Sequence, residues 1–111
     1  MVTCFLKYII DPKKVDEFTH YGQLWIDLVN RMGGLHHGYL IPHEGPSNVG
    51  YASFSFPSLA DYEAYRDKIP SCPDCQAALD YSRETECVLS YERNFFKPVF
   101  EGIKDEAKLF Y

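Results

Sequence analysis

The sequence predicts an α+β fold of the ferredoxin-like type, built around a four-stranded antiparallel sheet. The prediction rests on the order of the elements, βαββαβ, and on a hairpin between the two helical segments. The predicted bounds are Val2–Ile10, Asp11–Met32, Leu35–His43, Asn48–Phe56, Ser58–Arg83 and Glu86–Phe96. This order places the helices on one face of the sheet only. We expect a second copy of the chain to cover the other face and to enclose a cavity between two sheets.

The first helix is predicted from its boundary signals and from the spacing of its apolar residues. Asp11 is a candidate N-cap, and Pro12 suits the first helical position, where its missing N–H group costs nothing. Apolar residues then recur every three or four positions up to Met32, which is typical of a helix with one buried side. Gly33-Gly34 ends the helix, because glycine tolerates a positive φ angle.

Turn and capping residues divide the second half of the chain. The hairpin loop, residues 43–48, is rich in turn formers. Ser58 is followed three residues later by Asp61, which resembles a capping box at the start of a helix. Pro70 stops that helix, and Pro73 starts a short third one.

Length and composition exclude several classes of protein. A chain of 111 residues is one domain with one core, and 46% hydrophobic residues are too many for a disordered chain. The net charge of −5, without any basic run, argues against nucleic acid as a partner. The N-terminal residues do not have the pattern of a leader sequence, and no apolar stretch reaches about 18 residues. We therefore expect a cytoplasmic protein that does not contact membranes.

The four cysteines are Cys4, Cys72, Cys75 and Cys87, and we expect them to be reduced. Cys72 and Cys75 have the spacing of a redox dithiol, but they follow a helix rather than a strand. A zinc site would need a second pair of ligands, which the chain lacks. We predict that these two thiols cap a helix and pack, and we expect neither a metal nor a cofactor.

Alternation along the strands separates the two faces of the sheet. The face away from the helices mixes apolar and hydrogen-bonding side chains, which suits a ligand cavity. It is predicted to comprise Thr3, Phe5, Lys7, Ile9, His37, Tyr39, Ile41, His43, Val49, Tyr51, Ser53, Ser55, Val88, Ser90, Glu92 and Asn94. The candidate ligand-binding residues are Lys7, His37, Tyr39, Tyr51, Ser53 and Glu92, and the candidate catalytic residues are His37 and Tyr51.

The pair His36-His37 is the strongest signal of chemistry in this region. Adjacent strand residues point to opposite faces, so one imidazole must enter the cavity, and the alternation selects His37. The alternative is a partly exposed strand histidine without a chemical role. Lys7 and Glu92, on neighbouring strands, form either a buried pair that orients a ligand or a simple cross-strand ion pair.

Two segments resemble the NIPSNAP family. The first is Gly45–Asn48 leading into Tyr51–Arg66, the second is Cys87–Pro98, and the similarity of element order extends over residues 2–98. NIPSNAP proteins belong to the dimeric α/β-barrel superfamily, so the resemblance implies two protomers that face each other through their sheets. The superfamily includes cofactor-free monooxygenases, haem-degrading enzymes, cyclases and dehalogenase-like proteins, whereas NIPSNAP proteins have no agreed reaction.

The sequence thus predicts a NIPSNAP-type domain over residues 1–98 and a tail, 99–111, that docks on the domain or on its dimer partner. We expect a homodimer, or a higher oligomer, of undefined biochemical role that binds a small molecule between sheets. One alternative is a cofactor-independent enzyme of the dimeric α/β-barrel type, with monooxygenase- or cyclase-like chemistry. The other is a non-catalytic module for protein interaction.

Overall fold

The computed structural model describes residues 1–99 and confirms the ferredoxin-like α+β fold. The elements of this part of the chain are β1 (Val2–Ile10), α1 (Val15–Arg31), β2 (Leu35–Leu40), β3 (Val49–Phe56), α2 (Leu59–Lys68), a 3₁₀ turn (Ile69–Ser71), α3 (Pro73–Thr85) and β4 (Val88–Phe96). The strands form one sheet in the order β2-β3-β1-β4, with antiparallel neighbours. None of these helices has the length and apolarity needed to span a membrane. Beyond Val99, the predicted docking tail lies outside the described residues.

The core lies between the sheet and the helices, as the strand alternation predicted. Alternate residues of β1 are buried, and those of β3 face the same side. Helix α1 contributes a buried stripe that includes Phe18, Trp25 and Val29. The other face of the sheet, which we call the open face, carries Phe5, Lys7, Tyr51, Ser53 and Glu92, and no described element covers it.

The predicted start of α1 at Asp11 is wrong by four residues. The Asp11 carboxylate accepts a hydrogen bond from the Lys13 N–H at 2.9 Å, and its carbonyl accepts one from the Lys14 N–H at 2.8 Å. These bonds close a separate turn, so the helix begins only at Val15. The Lys14 ammonium donates to the carbonyl of Thr85, which ties the start of α1 to the end of α3.

The later capping signals are confirmed. The Ser58 hydroxyl accepts a hydrogen bond from the Asp61 N–H at 3.1 Å at the start of α2. Pro73 occupies the first turn of α3, and the Cys72 sulfur accepts from the Cys75 N–H at 3.1 Å. Cys72 is therefore the N-cap of α3, in the position usually taken by serine or aspartate.

A β-bulge in β2 overturns the predicted face of Tyr39. His36 pairs with Phe54 of β3, but the next paired residue is Gly38, opposite Ser53, with φ at +105°. The extra residue shifts the alternation by one position. Tyr39 consequently lies opposite Ala52 and packs among the helix-facing side chains, not on the open face. Ile41 and His43, also predicted for the open face, follow the end of β2.

A second bulge, in β4, corrects the face of Val88. Ser90 pairs with Ile9 and Val88 pairs with Ile10, so Leu89 is the additional residue. Val88 packs against the core. Its predicted place on the open face, which assumed an uninterrupted alternation, is therefore wrong. The remaining register places Glu92 and Asn94 on the open face and turns Arg93 toward the helices, opposite Leu6.

Candidate functional site

A cavity of about 430 Å³ lies between the helix-facing side of the sheet and the three helices. We call it the inner cavity. Its walls are aromatic and come from every layer of the fold, including Tyr8, Trp25, Tyr39, Tyr65, Tyr91 and Arg93. Exposed Arg66 and Arg83 belong to its rim. The cavity therefore opens between β4 and the helices that follow β3.

The sheet side of the inner cavity is a cluster of aromatic rings. Tyr8 lies at the centre, with its ring centroid 5.1 Å from Phe18, 5.9 Å from Tyr39 and 6.1 Å from Tyr91. Register explains the cluster, because Tyr91 pairs directly with Tyr8 and the bulge in β2 turns Tyr39 toward them. An amphipathic aromatic wall of this kind suits an aromatic or apolar ligand.

The tyrosines of the cavity are held in their neutral form. Burial raises the pKa of Tyr21 to about 12, and the pKa values of Tyr8, Tyr39 and Tyr65 are raised further by the same cause. Tyr21 adds to the rise in the pKa of Tyr8, and Tyr8 adds to the rise in the pKa of Tyr39. Their hydroxyl groups stay protonated at neutral pH and are available to donate hydrogen bonds.

Arg93 brings a positive charge to this aromatic wall. Its guanidinium carbon lies 5.3 Å from the centroid of the Tyr91 ring, which is a cation–π arrangement. Its Nε atom is buried and has no hydrogen-bond partner among the described residues. The nearby Cys4 thiol does not supply a negative charge, because burial raises its pKa to about 11 despite the guanidinium.

Trp25 contributes a second unpartnered donor. The side chain is 8% exposed and comes from the buried stripe of α1. The indole N–H has no hydrogen-bond partner of normal geometry among residues 1–99, although Trp25 lies close enough to the Tyr21 hydroxyl to offset part of the rise in the pKa of Tyr21. A buried N–H group without a partner is uncommon in folded proteins, so Trp25 marks a polar point in an otherwise aromatic wall.

On the open face, the structure brings most of the predicted site residues together. Lys7 pairs with Tyr51 on one side and with Glu92 on the other, while Ser53 lies opposite Phe5. Lys7 and Glu92 lie opposite each other on neighbouring strands, as predicted, but they form no ion pair with each other. The ion pairs of residues 1–99 are Arg31–Asp27, Arg31–Asp74 and Arg83–Asp80. Tyr39, the sixth predicted residue, lies on the opposite side of the sheet.

His37 lies on the open face, as predicted, and takes part in a chain of hydrogen bonds. Its Nε2 atom is 2.7 Å from the Ser55 hydroxyl, which is 2.7 Å from the Thr3 hydroxyl. Desolvation lowers the pKa of His37. A depression beside this chain is lined by Thr3, Phe5, His37, Ser53, Phe96 and Pro98.

His36 lies against the helical layer. Its ring stacks on Tyr39, and its Nδ1 atom accepts a hydrogen bond from the Gly38 N–H at 2.8 Å. That bond leaves the proton of the neutral ring on Nε2, which is buried and has no hydrogen-bond partner in residues 1–99. Burial, with a smaller contribution from the charge of His37, lowers the pKa of His36 to about 4.

The Cys72-Cys75 motif packs in the way that the sequence suggested. Cys75 is fully buried, and its thiol lies 3.5 Å from the sulfur of Met32. Burial raises the pKa of Cys75 to about 12, so this thiol is not a reactive thiolate. Residues 1–99 contain no cluster of three or more His, Cys, Asp or Glu side chains that would hold a metal ion.

The inner cavity was not predicted from the sequence, because its polar residues lie on the side of the sheet where alternation predicts packing. Arg93 is absent from the predicted site residues, and the place of Trp25 on the apolar stripe of α1 predicts core packing. A signal was present: Tyr91 and Arg93 alternate on the face that β1 fills with Cys4, Leu6 and Tyr8. A charged residue in a helix-facing position of a strand indicates a polar cavity beneath the helices.

Comparison with known proteins gives a consistent family and fold. The profile of the NIPSNAP family matches residues 4–100, and none of the curated proteins matches. A NIPSNAP family protein of unknown function from Agrobacterium tumefaciens is 20% identical, with a TM-score of 0.76 over 89% of this chain and 88% of that one. An uncharacterised NIPSNAP domain protein from Burkholderia xenovorans is also 20% identical, with a TM-score of 0.72 over 89% and 95% of the two chains.

The same fold occurs in a protein from Nitrosomonas europaea assigned as an antibiotic biosynthesis monooxygenase. It is 9% identical to this chain, with a TM-score of 0.69 over 89% of this chain and 99% of that one. At this level of identity, the similarity concerns the fold.

Proposed function

Because the chain belongs to the NIPSNAP family, whose biochemical role is undefined, we propose from the site geometry that it binds a small organic molecule in the inner cavity. The observation that carries the proposal is a cavity lined by aromatic rings in which two buried donors, Trp25 Nε1 and Arg93 Nε, have no partner among the described residues. A ligand acceptor would satisfy these donors.

The size and lining of the cavity fit this role. Its volume of about 430 Å³ falls within the range of sites for small molecules, roughly 300 to 1,000 Å³. Such sites combine apolar walls with a few polar groups that fix the orientation of the ligand. Here the walls are provided by rings such as Tyr8 and Tyr39, and the polar groups are Trp25 and Arg93.

The lining favours binding over acid–base catalysis. General acids and bases work best when their pKa lies near the operating pH. None of the described residues that line the inner cavity is Asp, Glu or His, and burial raises the pKa values of Tyr8, Tyr39 and Tyr65. Cofactor-independent oxygenation, suggested by the monooxygenase assignment of a neighbour with this fold, therefore lacks an evident base at this site.

A second candidate site is the open face, closed by another copy of the chain. It is favoured by the hydrogen-bonded chain from Thr3 through Ser55 to His37 beside a surface depression. In a homodimer with the sheets face to face, Lys7, Tyr51, Ser53 and Glu92 would line the space between protomers. This site needs the dimer, whereas the inner cavity is formed by one chain.

The fluorescence of Trp25 tests the proposal. It is the only tryptophan of the chain and it lines the inner cavity, so its emission reports on that site alone. We expect saturable changes in emission with members of a set of phenyl and biphenyl carboxylates, amides and amines. Ser82→Phe, on the cavity wall, should abolish these changes by filling the space. Ala64→Phe, an exposed change on α2 outside the lining, should leave them intact.

Two results would contradict the proposal. One is that no compound of the set changes the emission of Trp25 in the unmodified protein. The other is that Ser82→Phe, folded as judged by circular dichroism, binds as well as Ala64→Phe does.

A further inference from the structure

The distribution of charge points to the class of ligand: we infer that the inner cavity takes an organic carboxylate with an aromatic or apolar body, bound through Arg93 and Arg66. This inference rests on the proposed function, because it names the chemistry of the molecule that would occupy the same cavity. It depends on three observations, namely the position of Arg93, the charge of the lining and the aromatic walls.

Arg93 has no counter-charge among residues 1–99. The register of β4 turns it toward the helices, opposite Leu6, and its guanidinium lies over the Tyr91 ring. Its Nε atom is buried without a partner, and it takes part in none of the ion pairs of residues 1–99. The Arg93 side chain is half-buried, and a partly desolvated charge without a counter-charge is unfavourable, so a bound anion would stabilise it.

The cavity lining is positive although the protein is negative. The chain has 16 acidic and 11 basic residues, with a net charge of −5. Yet the described lining of the cavity contains Arg66, Arg83 and Arg93 and no carboxylate. Arg83 is already paired with Asp80 at 2.7 Å, which leaves Arg66 and Arg93 as the arginines without an ion pair in this part of the chain.

The remaining donors and the walls specify the rest of the ligand. A guanidinium fork matches the two oxygens of a carboxylate, and the Trp25 indole and the protonated tyrosine hydroxyls can donate further hydrogen bonds. The aromatic side chains that line the cavity, such as Tyr8 and Tyr91, provide apolar surface against which an aromatic or apolar body would pack. A small hydrophilic anion would leave these faces without contacts.

A matched pair of probes separates the charge from the shape of the ligand. Biphenyl-4-carboxylate and biphenyl-4-carboxamide have nearly the same shape and differ in charge at neutral pH. Titrated against Trp25 emission, the carboxylate should bind roughly tenfold or more tightly than the amide, since a charged hydrogen bond contributes more than a neutral one. Arg93→Gln should remove most of that difference by weakening the carboxylate alone.

Two further variants control the measurement. Arg66→Gln, an exposed change that does not threaten the core, should weaken the carboxylate by roughly threefold or more. Arg31→Gln removes the same charge outside the cavity and should leave both probes unaffected. Circular dichroism and thermal unfolding establish that each variant is folded.

The outcomes distinguish this inference from the proposed function. Equal affinity for the two probes, unchanged in Arg93→Gln and Arg66→Gln, would overturn the inference and leave the binding of a small molecule standing. A carboxylate preference that Arg31→Gln removes as strongly as Arg93→Gln would also overturn it. If neither probe nor any compound of the wider set alters Trp25 emission, both proposals fail.

Discussion

His36 and Tyr39 stack almost in parallel, with ring centroids 5.2 Å apart and planes 9° apart, although they are three residues apart on one strand. In a regular strand, residues at this separation point to opposite faces. The bulge at Gly38 brings them to the same face, and the Gly38 N–H donates to the His36 ring at 2.8 Å. The bulge thus sets two features at once: it directs Tyr39 into the wall of the inner cavity and sends His37 to the open face.

The conformation of Gly38 gives the first prediction. Its φ angle of +105° is unfavourable for residues with a side chain, while the space around a Cβ atom is empty. Gly38→Val should therefore lower the free energy of unfolding by roughly 1 to 3 kcal/mol through backbone strain alone. Gly38→Asn should cost less, because asparagine tolerates positive φ better than a β-branched residue. Chemical denaturation of the two variants checks this; equal stability of both with the parent would contradict it.

The element order and most of the faces were predictable from the sequence, and the bulges were not. Strand alternation correctly assigned β1 and β3 because each is regular over its length. It misplaced Tyr39 and Val88 because one additional residue in β2 and in β4 reverses the pattern beyond it. Gly38 was a visible hint, since glycine inside a strand often marks a bulge. Leu89 carried no such hint.

The inner cavity escaped prediction for a related reason. Helix-facing residues of a strand and residues on the apolar stripe of a helix are both expected to pack, so the sequence pattern predicts packing for Tyr8, Tyr91 and Trp25. Only the packing of three helices over a sheet shows that their side chains leave about 430 Å³ between them. Alternation identifies the side on which a residue lies, but the volume left between layers depends on helix positions that local patterns do not encode.

The second prediction concerns stability against pH. The pKa of His36 is about 4 in the folded protein, against 6.5 for an unperturbed imidazole. Between pH 6.5 and 4 the imidazole is protonated in the unfolded chain but not in the folded one. The folded state therefore keeps its full stability above pH 6.5 and loses stability as the pH falls toward 4. We expect the free energy of unfolding to decrease by roughly 2 kcal/mol over this window because of His36.

Paired variants isolate this contribution. His36→Phe keeps an aromatic ring beside Tyr39 and removes the titrating group, so its unfolding free energy should depend less steeply on pH between 4 and 6.5 than that of the parent. His37→Gln should alter the slope less, since His37 is more exposed. Urea denaturation at several pH values supplies the measurement, and parallel curves for parent and His36→Phe would refute the assignment.

Dimerisation through the open face is the third prediction. Phe5 lies in the centre of this face, is 38% exposed and contacts the rings of Tyr51 and Phe96. A second sheet would bury it, so Phe5→Asp should shift the protein to monomers, because an unpaired charge is costly in an apolar interface. Leu59→Asp is the matched control: Leu59 is 58% exposed but lies on α2, away from the sheet face. Analytical ultracentrifugation showing a monomeric parent at micromolar concentration would rule the dimer out.

The fourth prediction is that Cys72 and Cys75 are structural. Cys72→Ser should leave stability nearly unchanged, since serine is a good N-cap and can accept the same hydrogen bond from the Cys75 N–H. Cys75→Ser should cost roughly 1 to 2 kcal/mol, because it places a hydroxyl group in a fully buried position beside Met32. Denaturation of each variant and thiol labelling of the native protein provide the measurements. A disulfide between the two cysteines under cytoplasmic redox conditions would overturn the prediction.

The fifth prediction decides between the two candidate sites. His37 and Arg93 lie on opposite faces of the sheet, His37 bonded to Ser55 and Arg93 beside Tyr91. Calorimetry registers binding on either face, whereas Trp25 emission reports only on the inner cavity. With biphenyl-4-carboxylate, we expect His37→Gln to leave the affinity unchanged in both measurements. Arg93→Gln should lower the affinity roughly tenfold in both. Heat of binding that is insensitive to Arg93→Gln but lost in His37→Gln would move the site to the open face. Lys7, Tyr51, Ser53 and Glu92, which lie on that face, would then be the next residues to replace.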